Sequence, residues 1–128
     1  MNEEKIPIKV GRIPIAVERA CKLRLASQVG IYMSDEKVSE LATSRPDSYL
    51  KAIEEISSIT HDPDYVGYIR DESTFVFLKA YKKKGVFMWI GVKVVHEGAP
   101  KQWMFRELRR YGAEELKELD AKADFARP

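Results

Sequence analysis

The chain has 128 residues, of which 45% are hydrophobic and 33% are charged, and this composition predicts one domain with an apolar core. Its net charge of +2 is mildly basic, which is compatible with a nucleic-acid partner without indicating one. The single cysteine, Cys21, excludes an internal disulfide and a cysteine-based zinc site. Because no signal-peptide pattern and no long apolar run is present, we expect a cytoplasmic protein that does not span a membrane.

The N-terminal third alternates between short strand patterns and helix patterns. Ile6–Val10 predicts an edge strand, and the segment from Pro14 to Leu23 predicts a helix with Val17, Ala20 and Cys21 on its inward face. On such a face Cys21 is a small buried apolar residue, because a reactive thiol needs an exposed, electropositive setting.

Two further helices are predicted between a short strand and the first clear turn. Val29–Met33 predicts the strand, and Ser34 caps a helix over Asp35–Ala42. The strongest helix pattern is Pro46–Ser58, which we expect to lie across the sheet. Its apolar positions recur at helical spacing; they are Tyr49, Leu50, Ile53 and Ile56.

The second half of the chain is dominated by strand patterns. β-branched and aromatic residues are concentrated in segments bounded by turn residues. The predicted strands are Tyr65–Ile69, Thr74–Tyr81, Val86–Val95 and Gln102–Leu108, and a short helix follows over Ala113–Ala121. If the hairpin loop is Lys82–Gly85, Lys79 lies opposite Met88 and shares a face with Phe75 and Phe77, while Lys93 lies on the other face beside Trp89.

Together these elements predict an α+β domain. Its N-terminal helices pack on a curved antiparallel sheet of about four strands, and a helix ends the domain. We expect one domain over 1–128, with a core of about 6–121 and a loose tail over 122–128.

In this order and at these spacings the segments resemble a family, the phage-associated barnase/EndoU/colicin/RelE-like nuclease domains. The similarity extends from about Lys9 to Leu108, and its most specific piece is DPDYVG at Asp62–Gly67. The other matching segments are KVGRIPIAVERACKL, VGIYMS, RPDSYLKAI with EEISSI, FLKAY and IGVKV. The resemblance implies a toxin-like domain whose helices lead into an antiparallel sheet with an RNase-type site.

The chain departs from that family where the catalytic groups stand. The family often has a pattern like H-x-x-x-x-H-P, whereas this chain has Glu40 and Arg45 before Pro46. Near the last strand the family tends to have a small hydroxyl residue, whereas this chain reads WMFREL with Arg106 as its nearest polar residue. The family's acid–base groups are therefore not present in their usual form.

Metal-free RNA cleavage requires a base, an acid and cations for the phosphorane charge. Glu40 is a candidate base and Arg45 a candidate phosphate clamp, although both also fit solvated positions on or beside a helix. Lys79 resembles a lysine of a family strand and is the better site candidate, while Arg106 completes the proposed catalytic set. We expect no cofactor and no metal, since neither His61 nor His96 has ligand-type spacing.

The candidate RNA-binding residues lie mainly near the last predicted strand. They are Lys93, Trp103, Arg109 and Arg110. RNA can stack and pair on such a basic–aromatic patch, or the arginines can instead cover the strand and pair with the acidic C-terminal helix. Lys82–Lys84 is a solvated hairpin tip or a phosphate contact.

Two functional hypotheses follow from the residues and the resemblance. The first is an RNase-like domain of phage or mobile-element type that cleaves RNA without a metal at an altered site near Lys79, facing Arg45 and the Arg106 segment. The second is a catalytically inactive member of that fold that binds RNA or a protein, for example as an inhibitor of a host system. The sequence leaves the target and the oligomeric state open.

Overall fold

The computed structural model describes residues 7–25 and 29–128 of the chain. These residues form four α-helices, six strands and one 3-10 turn at Arg70–Glu72, so the α+β class is confirmed. In chain order the elements are β1 (Ile8–Arg12), α1 (Ile15–Ala20), β2 (Gly30–Met33), α2 (Asp35–Ser44), α3 (Tyr49–His61), β3 (Tyr65–Ile69), β4 (Thr74–Lys83), β5 (Val86–Glu97), β6 (Gln102–Tyr111) and α4 (Ala113–Ala123). Ile6, the first residue of the predicted edge strand, lies outside the described residues.

The six strands form one mixed sheet in the order β1-β2-β6-β5-β4-β3. Neighbouring strands are antiparallel except for β2 and β6, which run parallel with Ile31 opposite Trp103. The prediction of about four antiparallel strands is therefore wrong in number and in direction. The two N-terminal strands are short, and they join the sheet because they bury Val10, Ile31 and Met33 in the same core as the long strands.

One face of the sheet, which we call the α3 face, carries the main core. Phe75 and Phe77 of β4 and Val92 and Val94 of β5 are fully buried there, together with Ile56 of α3. Helix α3 packs against β1, β4 and β5. Helix α3 thus lies across the sheet, as its apolar periodicity predicts.

Helix α3 begins and faces the sheet differently from the sequence prediction. Pro46 to Ser48 form a turn, and the helix starts at Tyr49 rather than at Pro46. The prediction that Leu50 faces the core is wrong, because its side chain is 62% exposed. Ile56 is buried as predicted and Ile53 packs against the main core, and the helix also buries Ala52, Ile59 and Thr60. The helix also ends later than Ser58, at His61, and the buried Thr60 hydroxyl donates to the Ile56 carbonyl in its last turn.

Helix α2 begins where the sequence predicts. The backbone N–H of Lys37 donates to the Ser34 hydroxyl at 3.2 Å, and Asp35 and Glu36 occupy the first turn. Its Val38 and Leu41 are half-buried and pack against the main core. Among the described residues, no helix is long and apolar enough to span a membrane.

The opposite face of the sheet, which we call the α4 face, has a smaller core beneath α4. Ile69, Val76, Leu78 and Tyr111 are buried there against Ala123. Gly67 of β3 makes this close approach possible, because a Cβ at that position would stand 2.6 Å from the Cβ of Ala123. Gly67 therefore lies within β3 and gives α4 room to pack on it.

The β4–β5 hairpin is longer than predicted. Its turn is Lys84–Gly85, both with positive φ, and Lys83 lies opposite Val86. The predicted pairing of Tyr81 with Val86 is therefore wrong by two residues, and Lys79 lies opposite Ile90 rather than Met88. Since a shift of two residues keeps each side chain on its face, the predicted division into two faces is correct.

The C-terminal tail is tied to the sheet, in contrast to the predicted loose tail. Ala126 exchanges two backbone hydrogen bonds of 2.9 Å with Val66 of β3, and Phe125 packs against the smaller core. The tail thereby covers part of the outer edge of β3, where unpaired backbone groups would otherwise face water.

Candidate nucleic-acid interface

Lys79 lies on the α3 face at the point where the main core ends. Its ammonium donates to the Asp62 carbonyl oxygen at 2.8 Å and lies 3.5 Å from a carboxylate oxygen of Asp62 and 3.7 Å from one of Asp64. The Lys79 side chain is 25% exposed. Lys79 therefore links β4 to the end of α3, and part of its side chain remains exposed to water.

Arg110, rather than Arg106, shares the cross-strand row of Lys79. Lys79 is opposite Ile90, and Ile90 is opposite Arg110. A spacing of about 4.8 Å between strands puts the backbones of Lys79 and Arg110 about 10 Å apart, which is within reach of one phosphate for two long side chains. This end of the α3 face thus brings together two cations that the sequence analysis assigned to different roles.

Tyr81 lies next to that row and stays protonated at neutral pH. Burial raises its pKa, and the nearby carboxylate of Glu55 on α3 raises it further, while Lys79 lowers it. A phenol of this kind can donate a proton or a hydrogen bond, but it is a poor base. Glu55 is half-buried on α3 and lies close enough to Tyr81 to influence its pKa.

The other three predicted catalytic residues do not join Lys79. Glu40 is exposed and pairs with Lys37 at 3.1 Å within α2. Arg45 is exposed at the end of α2, where its backbone N–H caps the helix. Arg106 pairs with Glu97 at 3.0 Å, at the far end of β5 and β6 from the hairpin turn. Among the described residues, neither Arg45 nor Arg106 forms a hydrogen bond or ion pair with Lys79, so these contacts do not assemble the predicted site.

The predicted basic–aromatic patch on β6 is divided between the two faces. Trp103 is only 6% exposed and stacks on His96 with a centroid distance of 4.5 Å, so it offers no open ring to a base. Arg109 pairs with Glu115 of α4 and lies over the Tyr111 ring. The interpretation that arginines of this segment pair with the C-terminal helix is therefore correct for Arg109.

Lys93 and Arg110 differ in how their charges are used. Lys93 pairs with Glu107 on the neighbouring strand at 3.4 Å, on the α4 face. Arg110 is exposed on the α3 face, and the structure gives its side chain no ion pair among the described residues. Of the predicted RNA-binding residues, Arg110 is the one whose charge is most available to a ligand.

An aromatic groove that the sequence analysis did not identify lies on the α4 face beside the hairpin turn. It has a volume of about 630 Å³. Its walls are Pro63, Asp64, Tyr65, Ala80, Phe87, Trp89, Arg127 and Pro128. It continues past Tyr65 and Trp89 into a second depression of about 400 Å³ against α4.

Three aromatic side chains provide the ring surface of the aromatic groove. Phe87 is 64% exposed, and Tyr65 and Trp89 lie 5.7 Å apart between ring centroids. Ala80 stands opposite Trp89 on the neighbouring strand, and its small side chain leaves space between the rings. The groove therefore offers ring surface that the protein itself does not cover.

Cations border the same groove. The Arg127 guanidinium donates to the Tyr65 hydroxyl at 3.3 Å and lies over the Tyr65 ring at 5.4 Å. The Lys82 ammonium lies 5.9 Å from the Phe87 ring centroid. With Lys83 and Lys84, all exposed, Lys82 makes the hairpin tip (Lys82–Lys84) strongly basic.

The sequence contained a partial signal for this groove. Phe87 and Trp89 alternate with Met88, and the expected face for Trp89 was correct. The exposure of both rings depends on where α4 ends and where the tail runs, and neither can be read from strand periodicity. The prediction of a loose tail also left Arg127 out of the candidate residues.

Cys21 and the histidines show no catalytic arrangement. Burial raises the pKa of the Cys21 thiol to about 11, with a smaller opposing effect of Arg70, so the thiol is protonated at neutral pH. His61 is exposed at the end of α3. Within residues 7–25 and 29–128 no group of three His, Cys, Asp or Glu side chains is arranged to hold a metal ion.

The chain was also compared with known proteins. No protein-family model, no curated protein and no solved structure matched it. The resemblance to the barnase/EndoU/colicin/RelE-like nuclease domains therefore stays a prediction that rests on the sequence segments given above.

Proposed function

We propose that this protein binds single-stranded RNA across the aromatic groove and the hairpin tip. The observation that carries this proposal is the exposed ring of Phe87 beside Trp89 and Tyr65, bordered by Lys82 and Arg127. Bases of a single strand can stack on such rings, whereas those of a duplex are covered by their neighbours. The lysines of the tip lie where they would meet the phosphates.

The charge distribution supports a local interface. The net charge of the whole chain is only +2, yet three consecutive lysines lie at the hairpin tip. The negative charge of Asp64 beside the groove is partly offset, since its carboxylate accepts from the Ala80 N–H at 2.8 Å and lies near the Lys79 ammonium. The three lysines therefore provide a local attraction for a phosphate backbone beside the aromatic groove.

The test compares two neighbouring exposed side chains. Phe87→Ala removes a ring from the groove, and Val86→Ala is its matched control, because Val86 is 62% exposed but lies on the α3 face. Fluorescence anisotropy with a labelled single-stranded RNA should show a loss of about 1–3 kcal/mol of binding free energy for Phe87→Ala. Val86→Ala should bind like the unmodified protein. Equal binding by both variants, or no binding by the unmodified protein, would contradict the proposal.

RNA cleavage without a metal is a second candidate function. It is favoured by the row that contains Lys79 and Arg110 with the protonated Tyr81 and Glu55 beside it. In such a reaction Glu55 would accept the 2′-hydroxyl proton, Tyr81 would donate to the leaving oxygen, and the two cations would stabilise the phosphorane. The resemblance to nuclease domains of phage or mobile-element type supports the same reaction class.

The cleavage test uses two lysines of equal exposure. The protein is incubated with mixed RNA in excess EDTA, and the products are examined for 2′,3′-cyclic phosphate ends. Lys79→Gln and Arg110→Gln should abolish these ends, whereas Lys93→Gln should not, because Lys93 is also 25% exposed but lies on the α4 face. Arg45→Gln shows whether the end of α2 takes part. Folded protein without any cleavage would remove the enzyme hypothesis and leave RNA binding to be judged by the Phe87 experiment.

A further inference from the structure

The aromatic groove contains a position for a single nucleobase, which deepens the proposed RNA-binding function and rests on it. Phe87 and Trp89 are separated by one residue on β5, so both side chains project from the same face of the strand. Two residues along a strand cover about 6.8 Å. That distance is about twice the 3.4 Å between stacked bases. Two rings that project in parallel from positions with this spacing would leave room for one inserted base.

The floor and one side of this space are also suited to a base. Across from Trp89 stands Ala80, whose methyl group leaves the space open, and both residues line the groove. Asp64 lies at the side. One of its oxygens accepts from the Ala80 N–H at 2.8 Å, and the other is 3.7 Å from the Lys79 ammonium. Asp64 keeps free lone pairs and can accept from an exocyclic amino group.

Arg127 provides the contact for the phosphate of the same nucleotide. It is exposed, and its guanidinium is held over the Tyr65 ring by the hydrogen bond to the Tyr65 hydroxyl. A guanidinium has five donors, so this bond leaves donors for phosphate oxygens. Backbone hydrogen bonds between Ala126 and Val66 fix the tail and thereby the position of Arg127.

We propose that Phe87 and Trp89 hold one amino-bearing purine between them, with its phosphate on Arg127. The ligand class is a purine nucleoside 5′-phosphate, either free or as one residue of a single-stranded RNA. Ring surface for the base, an acceptor for its amino group and a cation for its phosphate all border this one groove.

The experiment uses adenosine 5′-monophosphate as the probe and ribose 5-phosphate as the probe without a base. Tryptophan fluorescence should be quenched by the first and not by the second, since Trp103 is buried and Trp89 lines the groove. Ala80→Leu fills the floor and should weaken binding of the nucleotide about tenfold or more, whereas Val86→Ala should leave it unchanged. Arg127→Gln should weaken binding of the nucleotide but not of adenosine.

The outcomes separate this inference from the proposed function. Quenching by ribose 5-phosphate as strong as by the nucleotide, or unchanged binding in a folded Ala80→Leu protein, overturns the base position. If the nucleotide does not quench up to its solubility limit while single-stranded RNA still binds through Phe87, the base position is wrong and the RNA interface stands. If neither probe nor RNA binds, both proposals fall.

Discussion

The two ends of the β4–β5 hairpin use the same residue types for opposite purposes. Away from the turn, Phe75 and Phe77 are fully buried, with α3 on their face and α4 on the other. Near the turn, Phe87 is 64% exposed and Trp89 lines an open groove. The difference is made by the helices, which cover one end of the hairpin and stop short of the other.

This comparison shows which aromatic residues are required for folding. A buried phenylalanine stabilises the fold through the apolar area it removes from water. The Phe87 ring remains mostly in water and gives little of that stabilisation. The exposed Phe87 ring is therefore available for the RNA contact proposed above.

The largest expected effect is the loss of a buried ring. Phe77→Ala should lower the free energy of unfolding by about 3–5 kcal/mol, because a cavity remains in a core that cannot fully collapse. Phe87→Ala should change it by only about 0.5 kcal/mol or less. Urea unfolding followed by circular dichroism measures both. A similar loss of unfolding free energy in the two variants would mean that Phe87 also belongs to the folding core.

Two glycine substitutions test the same difference between a position covered by a helix and a position in the open hairpin turn. Gly67→Ala should destabilise the protein by about 1–3 kcal/mol, because the new methyl group meets Ala123 and forces α4 outward. Gly85→Ala should cost about 1–2 kcal/mol, from backbone strain alone, because its φ is +79° and nothing lies near its Cβ. Thermal unfolding ranks the two variants. The near-ultraviolet signal of Trp89 should change with Gly67→Ala, and an unchanged signal would contradict the outward movement of α4.

The salt dependence of RNA binding should distinguish the three lysines of the hairpin tip from Lys93. Replacing Lys82, Lys83 and Lys84 together by glutamine should reduce the slope of log K against log salt concentration by about 2 for a single strand, if all three meet phosphates. Lys93→Gln should leave the slope unchanged, because Lys93 is paired with Glu107. Anisotropy titrations at several salt concentrations measure the slopes. Equal slopes for the triple variant and the unmodified protein would place the phosphates elsewhere.

The smallest effect concerns the reactivity of the Cys21 thiol. It is measured on the unmodified protein, so no change in fold is involved. Burial raises the pKa of Cys21 from 9.0 to about 11, so at pH 8 the folded protein should carry about 100-fold less thiolate than the unfolded chain. Because the more basic thiolate is also the better nucleophile, reaction with a disulfide reagent should be slower by only about tenfold. It should accelerate as the pH rises towards 11. A folded rate equal to that in urea would contradict the burial of this thiol.

The sequence predicted the elements better than their arrangement. Tyr65–Ile69 has the predicted bounds, and the Ser34 cap is confirmed by its hydrogen bond, because both depend on local patterns. Leu50 was assigned to the core wrongly because helical periodicity defines a stripe but not the exact direction it faces. The parallel pairing of β2 with β6 depends on residues far apart in the chain and left no local pattern.

The candidate site was predictable only in part, for a related reason. Lys79 interrupts an apolar strand, and this local irregularity drew attention to it. Its partners Asp62 and Asp64 and its row neighbour Arg110 follow from the hairpin register and from the end of α3. Trp103 was expected to be open because aromatic residues beside arginines often bind RNA, but the core of the α3 face needs its ring. Tertiary packing decided each of these cases.

The parallel pairing of β2 with β6 also determines when this fold can be completed. During synthesis β1 and β2 can pair with each other, but they reach the rest of the sheet only through β6, the last strand to be made. Until then Ile31 and Met33 lack their place beside Trp103 in the core, and contacts of such long sequence separation form slowly. A nascent chain that stalls before β6 therefore exposes strand edges and apolar side chains, which makes it a substrate for chaperones or for aggregation.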